Sequence, residues 1–269
     1  MNLPVMMSDP DVRNVFLMVA FTVPRMMSAL LISPFFGDQF IVGMARQVVI
    51  IALSLMALPI TISQGITIPD SAYWPMYLLG VMVKEICLGM IIGYATGMVF
   101  WIAEGTGFFI DNQRGSSMAE MFDPMSGGSS SLFGVLFTKV LGVLFFLGGG
   151  FAAFLTIMYD SYVTWPVFAY FPKFQSSFAL VCLGVMDNIM GLIITYSAPI
   201  VIAMFIAEFG LGLMNRFSPQ LNVFFLAMPV KSGIAAVLII FYLIFLVGFF
   251  RTQIMTPEKW QVFFHGLFQ

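Results

Sequence analysis

Histidine is almost missing from this chain. His265 is the only one among 269 residues, and it lies close to the C-terminal Gln269. Serine and cysteine triads and most catalytic zinc sites need an imidazole, so those chemistries are not expected. Cysteine is nearly as scarce. Cys87 and Cys182 both sit in apolar runs, which excludes a disulfide framework or a thiolate metal site and leaves two small buried hydrophobes. Charge is thin as well: 9% of residues are charged, against about 25% in soluble domains. The net charge of -2 offers no basic footprint, so nucleic acid is not an expected partner.

Other absences narrow the field further. There is no Gly-x-x-x-x-Gly-Lys-Ser/Thr stretch for a nucleotide and no His-Glu-x-x-His for a metalloprotease. Tyr159-Asp160 is similar to one half of an intramembrane aspartyl protease, but the second aspartate motif is missing, and that chemistry needs two carboxylates sharing a proton. The serines at 129–131 lie outside any Gly-x-Ser-x-Gly elbow and read as flexible loop. No enzymatic activity, cofactor or metal is expected. Met1 to Asp11 has no basic region, so the first apolar segment is expected to be retained rather than cleaved.

What is present is apolar surface, with 60% of residues hydrophobic. A membrane-crossing helix needs about 20 mostly apolar residues, and charge-free runs of that order occur at 47–69, 86–103, 140–159, 188–207 and 232–250. Two interrupted segments join them: 14–36, with Pro24 and Arg25, and 209–230, with Arg216, Pro219 and Pro229. The expected fold is all-α, a polytopic membrane-associated protein of long apolar helices broken near the prolines. Charges recur between and within these runs: Lys84, Glu85, Glu104, Lys139, Asp160, Asp187, Glu208, Arg216 and Lys231. Each costs about 2.5–3.5 kcal/mol at a bilayer centre on insertion scales, so they are expected at helix ends or against protein or water. Intramembrane charges and proline-broken helices also suit a secondary solute transporter, although no matched pair of broken segments is visible. Gly89, Gly93 and Gly97 share one helical face and predict close helix approach. Gly148-Gly149-Gly150 predicts a bend or close contact. A composition shift at 160–177 marks the best boundary, between an N-terminal region of residues 1–175 and a C-terminal helical hairpin of residues 176–269.

Residues 111–131 are the polar exception between two apolar segments. They carry Asp111, Arg114, Glu120 and Asp123, three methionines, and Gly127-Gly128. Asp111 and Arg114 are three apart and can pair across one helical turn. Asp123-Pro124 favours a stop or turn. Met118, Met121 and Met125 share a face if the stretch is helical, and methionine fills irregular gaps adaptably. A surface loop with incidental methionines and a deformable seal are both compatible with this composition.

Several pieces together resemble the SctT/FliR family of type III secretion export apparatus proteins. They are Ile110-Asp111-Asn112-Gln113-Arg114-Gly115 with Ala119 and Asp123-Pro124; Gly148-Gly149-Gly150 with Ser161-Tyr162 and Trp165-Pro166; and Glu208-Phe209-Gly210-Leu211 with Asn215-Arg216, Ser218 to Phe224 and Pro229-Val230-Lys231. The Asp-Asn-Gln-Arg-Gly and Ser-Tyr-x-x-Trp-Pro runs are more similar to the injectisome branch than to the flagellar one. The resemblance implies a non-enzymatic export-gate subunit with helical hairpins, SctR-like over residues 1–175 and SctS-like over residues 176–269. It implies assembly with SctR- and SctS-type subunits, contacts to SctU and SctV, and unfolded polypeptides as cargo. The place would be the bacterial inner membrane, within the secretion basal body. The segment 106–131 becomes a pore plug, sealed by Met118, Met121, Phe122 and Met125 on a hinge at Gly127 and Gly128, with Asp111, Arg114, Asp123 and Pro124 shaping it. Gly89, Gly93, Gly97, Glu208, Arg216 and Lys231 become subunit contacts. Arg216 and Lys231, which look unpaired, are expected to meet partner carboxylates or carbonyls.

Overall fold

A computed structural model describes residues 10–37, 41, 43–65, 74–115, 131–169, 178–217 and 223–253. Among them the fold is all-α. Helix α1 is Pro10–Ile32, followed by a 3-10 turn at Pro34–Phe36; α2 is Met44–Met56 and α3 is Leu58–Gln64. A 40-residue helix, α4, runs Trp74–Gln113; α5 is Leu132–Leu147 and α6 is Gly150–Thr164. A second 40-residue helix, α7, spans Phe178–Phe217, and α8 spans Val223–Gln253. Among the described residues five stretches are long and apolar enough to cross a membrane by length and composition, and α5 with α6 make a sixth if counted as one broken span.

The breaks follow the prolines only in part: α2 gives way to α3 beside Pro59, and Pro219 lies in the interval between α7 and α8. Pro24, Pro199 and Pro229 all lie inside continuous helices. A proline removes one ladder bond, and a helix with a long apolar surface keeps the rest. The interrupted segment 209–230 is not a helix of its own: its described residues are the end of α7 and the start of α8. The break that does occur in the apolar run 140–159 is at Gly149, whose φ of +79° suits glycine and separates α5 from α6.

The described chain forms two compact units. The first takes residues 10–98 and 151–178, the second residues 99–150 and 179–253. In the first unit Met18, Ala57, Val81, Tyr162, Val167 and Phe168 form a buried cluster, and Phe35 meets Phe154 edge to face at 5.2 Å. Close approach of α1 and α4 depends on two glycines. A Cβ on Gly89 would collide with the Arg25 carbonyl oxygen and Ser28 Oγ, and one on Gly93 with the backbone of Ala29. These two glycines therefore serve a helix contact within the chain. Gly97 is buried too.

That close approach seats a fully buried charge cluster. Arg25 places Nε 2.6 Å from Glu85 Oε2 and Nη2 2.8 Å from Oε1. Nη1 donates to the Ser161 carbonyl and hydroxyl, and Nη2 also to the Trp165 carbonyl. All five guanidinium N–H groups thereby have acceptors. The Arg25 guanidinium also lies 4.3 Å from the centre of the Tyr162 ring. Lys84 Nζ sits 3.0 Å from Glu85 Oε1. Lys84 and Glu85 are in the interior of α4 and only 2% and 0% exposed, not at a helix end. Three buried charges are tolerated because each is paired and hydrogen-bonded by protein.

Removing one partner leaves the others buried and uncompensated. Glu85→Gln should lower unfolding stability in detergent by about 3–5 kcal/mol. Gly89→Ala should also destabilise, whereas Gly184→Ala, with open space around it, should be neutral or stabilising by up to about 1 kcal/mol. Thermal unfolding of the three variants checks this, and a Glu85→Gln protein as stable as the parent would show the cluster to be dispensable.

Candidate functional site

The described ends of the polar segment belong to α4 and α5, and they meet at a common base in the second unit. Helix α4 continues through Thr106 to Gln113, so the first stretch of the expected plug segment 106–131 is helix rather than loop. The reason is packing. Gly107 lets the backbone of Gly134 on α5 come so near that any Cβ would collide with it, and Thr106 and Ile110 are fully buried. Phe100 on α4 meets Phe145 on α5 edge to face at 5.4 Å.

Asp111 closes this base. Its Oδ1 lies 2.7 Å from Arg114 Nε, one turn on. Its Oδ2 accepts from Ser131 Oγ at 2.6 Å and from the Phe133 backbone N–H at 2.9 Å. Ser131 Oγ in turn accepts from Gly134 N–H at 2.8 Å and caps α5. The Arg114 guanidinium carbon lies 4.6 Å from the centre of the Phe133 ring. Asp111 is 1% exposed. One buried carboxylate thus fastens the last turn of α4 to the first turn of α5 and holds the two described ends of the polar segment together. It also adds negative charge where α5 exposes its first N–H groups.

Ser131 is therefore a helix cap, not the flexible loop that its serine-rich surroundings suggest. A serine directly before an apolar run is an N-cap signal, so this role is readable in the sequence. The pairing of Gly107 with Gly134 is not, since their spacing is no repeat within one helix. Met118, Met121, Phe122, Asp123, Pro124, Met125, Gly127 and Gly128 lie outside the described residues.

The C-terminal candidates resolve differently from one another. Lys231 on α8 pairs with Glu208 on α7 at 3.0 Å, so its counter-ion comes from its own chain, contrary to the expected partner carboxylate. Glu208 remains half exposed, at 51%. Arg216 is exposed. Gln113, Val201, Ile202, Met204, Phe205, Glu208 and Lys231 line a cavity of 310 Å³. The end of the described α4 segment also meets α8: Gly115, at a φ of +89°, faces Met228.

Residues 16–256 match the family model described as bacterial export proteins, family 1. The chain is 39% identical over 220 residues to the Yop proteins translocation protein T of Yersinia pestis, covering 81% of this chain and 83% of that protein. It is 34% identical over 224 residues to the secretion system apparatus protein SsaT of Salmonella typhimurium, covering 80% and 82%. It is 31% identical to the flagellar biosynthetic protein FliR of Bacillus subtilis over 159 residues, covering 58% and 61%.

Asp111 and Arg114 should be energetically coupled, because they share one buried base. In a double-mutant cycle, Asp111→Ala and Arg114→Ala should show an interaction energy of about 0.5–3 kcal/mol. The half-exposed Glu208–Lys231 pair should give about 0–1 kcal/mol in the same assay. Chaotrope unfolding of the purified chain reads both, and additive effects at Asp111 and Arg114 would remove the argument for a shared base.

Proposed function

The chain belongs to the bacterial export proteins of family 1, and on that premise we propose that it is a structural and gating subunit of a type III protein secretion export apparatus. The injectisome branch is favoured over the flagellar one, because the secretion relatives align over more of the chain. The role is non-enzymatic: the chain shapes and closes a channel through which unfolded polypeptide passes. Its site is the bacterial inner membrane, inside the secretion basal body.

The observation that carries the gating role is the buried base at Asp111. One carboxylate ties together the two described stretches that flank a polar sequence rich in glycine and methionine. A fixed base suits a gate whose two ends must stay in place while the pore opens. Met118, Met121, Phe122 and Met125 act as the sealing side chains, with Gly127 and Gly128 as the hinge and Asp123-Pro124 as the turn. Adaptable apolar side chains can block ions and still give way to a polypeptide.

Helix length supports assembly with other subunits. A 40-residue helix is about 60 Å long, roughly twice the hydrocarbon thickness of a bilayer. Helix α7 exposes large apolar side chains from Leu180 to Phe217. Only 22% of its apolar stretch is buried, against 67% for α4. Lipid covers about half of such a length, and protein must cover the rest. SctR- and SctS-type subunits are the proposed neighbours, with SctU and SctV beyond them. Arg216 and the exposed Glu208 side of the Glu208–Lys231 pair lie on the contact face. In this scheme residues 1–175 act as the SctR-like region and 176–269 as the SctS-like hairpin.

Two measurements test the proposal. Co-expression with SctR- and SctS-type proteins should yield a discrete hetero-oligomer in mild detergent, whereas a stable lone monomer that ignores them would overturn the subunit role. Deleting residues 118–128 should leave that oligomer intact and make the membrane leak ions. Unchanged permeability with assembly confirmed would sink the plug assignment and leave the subunit role standing.

A further inference from the structure

The turn after α6 has an unusual hydrogen-bond pattern. Five successive carbonyl oxygens, from Trp165 to Ala169, each accept from a side chain on α1 or α4. Arg25 Nη2 donates to Trp165 O at 2.9 Å. Lys84 Nζ donates to Pro166 O at 3.0 Å, Val167 O at 2.6 Å and Ala169 O at 3.1 Å. The Tyr77 hydroxyl donates to Phe168 O at 2.6 Å. Within the turn the backbone adds two bonds, Trp165 N–H to Ser161 O and Ala169 N–H to Pro166 O.

We propose that Trp165–Ala169 is a two-state strap, fastened by the ammonium of Lys84 and the guanidinium of Arg25 and positioned or released as a unit. Glu85 is shared by both cations, so neither cation's place is independent of the other. Lys84 spans three of the five carbonyls. Losing it would strand these three oxygens in an apolar unit where Val167 and Phe168 are buried, and none of the three can leave without disturbing their common donor. A buried group with shared partners favours discrete arrangements over gradual loosening. The strap sets how the chain leaves α6, and this holds whether or not the secretion role is correct.

Hydrogen exchange on the full chain in detergent tests it, read at the amides of Trp165, Val167, Phe168 and Ala169. Lys84→Met keeps length and removes the donor; exchange at all four should rise by about tenfold or more. Lys84→Arg should restore part of the protection. A folded Lys84→Met protein with unchanged exchange at these amides would overturn the strap. If Lys84→Met does not fold, Tyr77→Phe decides, because it removes one hydroxyl at one end. A rise of about fivefold shared by Trp165 and Ala169 supports a unit, whereas no rise, or a rise confined to Phe168 and Ala169, overturns it.

Discussion

Glu85 lies within hydrogen-bond reach of both Arg25 and Lys84 inside an apolar unit, and that constraint organises what surrounds them. An unpaired charge in such a place is far too costly to keep, so every donor must be met by protein. The chain meets them with backbone. Carbonyls of Ser161 and Trp165 serve Arg25, and those of Pro166, Val167 and Ala169 serve Lys84. The same charges therefore fix α1 against α4 and draw the end of α6 onto both. Glycines at 89 and 93 permit the approach, and Tyr162 covers the guanidinium on one face while its hydroxyl reaches the Thr22 carbonyl at 2.8 Å.

The second unit repeats the device with a single acid. Asp111 gathers Arg114, Ser131 and the Phe133 amide, where α4 ends and α5 begins. Backbone contact at Gly107 and Gly134 brings the two helices near enough for that carboxylate to reach across. In both units a small residue admits a neighbouring helix, and a buried charge then fixes the register. Apolar packing alone would leave sliding positions nearly equal in energy, because one leucine face fits another in many ways.

Outward, the logic reverses. Helices α7 and α8 turn Met190, Ile194, Ile202, Phe205, Ile240, Phe241 and Ile244 outward. Among the described residues nothing covers that surface, and its extent along α7 exceeds what a bilayer alone covers. The Glu208–Lys231 pair joins the two helices near the start of α8, with one oxygen-bearing side chain still exposed. Two long, apolar, lightly charged helices of this kind fit a membrane protein of the export family to which the chain belongs.

Much of this was legible from residue order. Long apolar runs required helices, because a backbone surrounded by apolar matter must satisfy its own hydrogen bonds. The polar interval between two such runs stood out by composition, and the Asp111–Arg114 spacing permitted their pairing. Motif order was specific enough to point to the family. Tertiary structure decided the rest. Lys84 and Glu85 read as helix-end charges, since one-dimensional spacing cannot reveal that Arg25, sixty positions before Glu85, lies beside them. Ser161-Tyr162 and Trp165-Pro166 were recognisable as motif pieces, but only the fold shows that two of these carbonyls receive Arg25 and a third receives Lys84. Lys231 looked unpaired because its partner, Glu208, sits on another helix. Local periodicity and composition are properties of a segment, and the sequence alone determines them. Which buried charge meets which carbonyl depends on helices packing across long separations, and that only the folded chain decides.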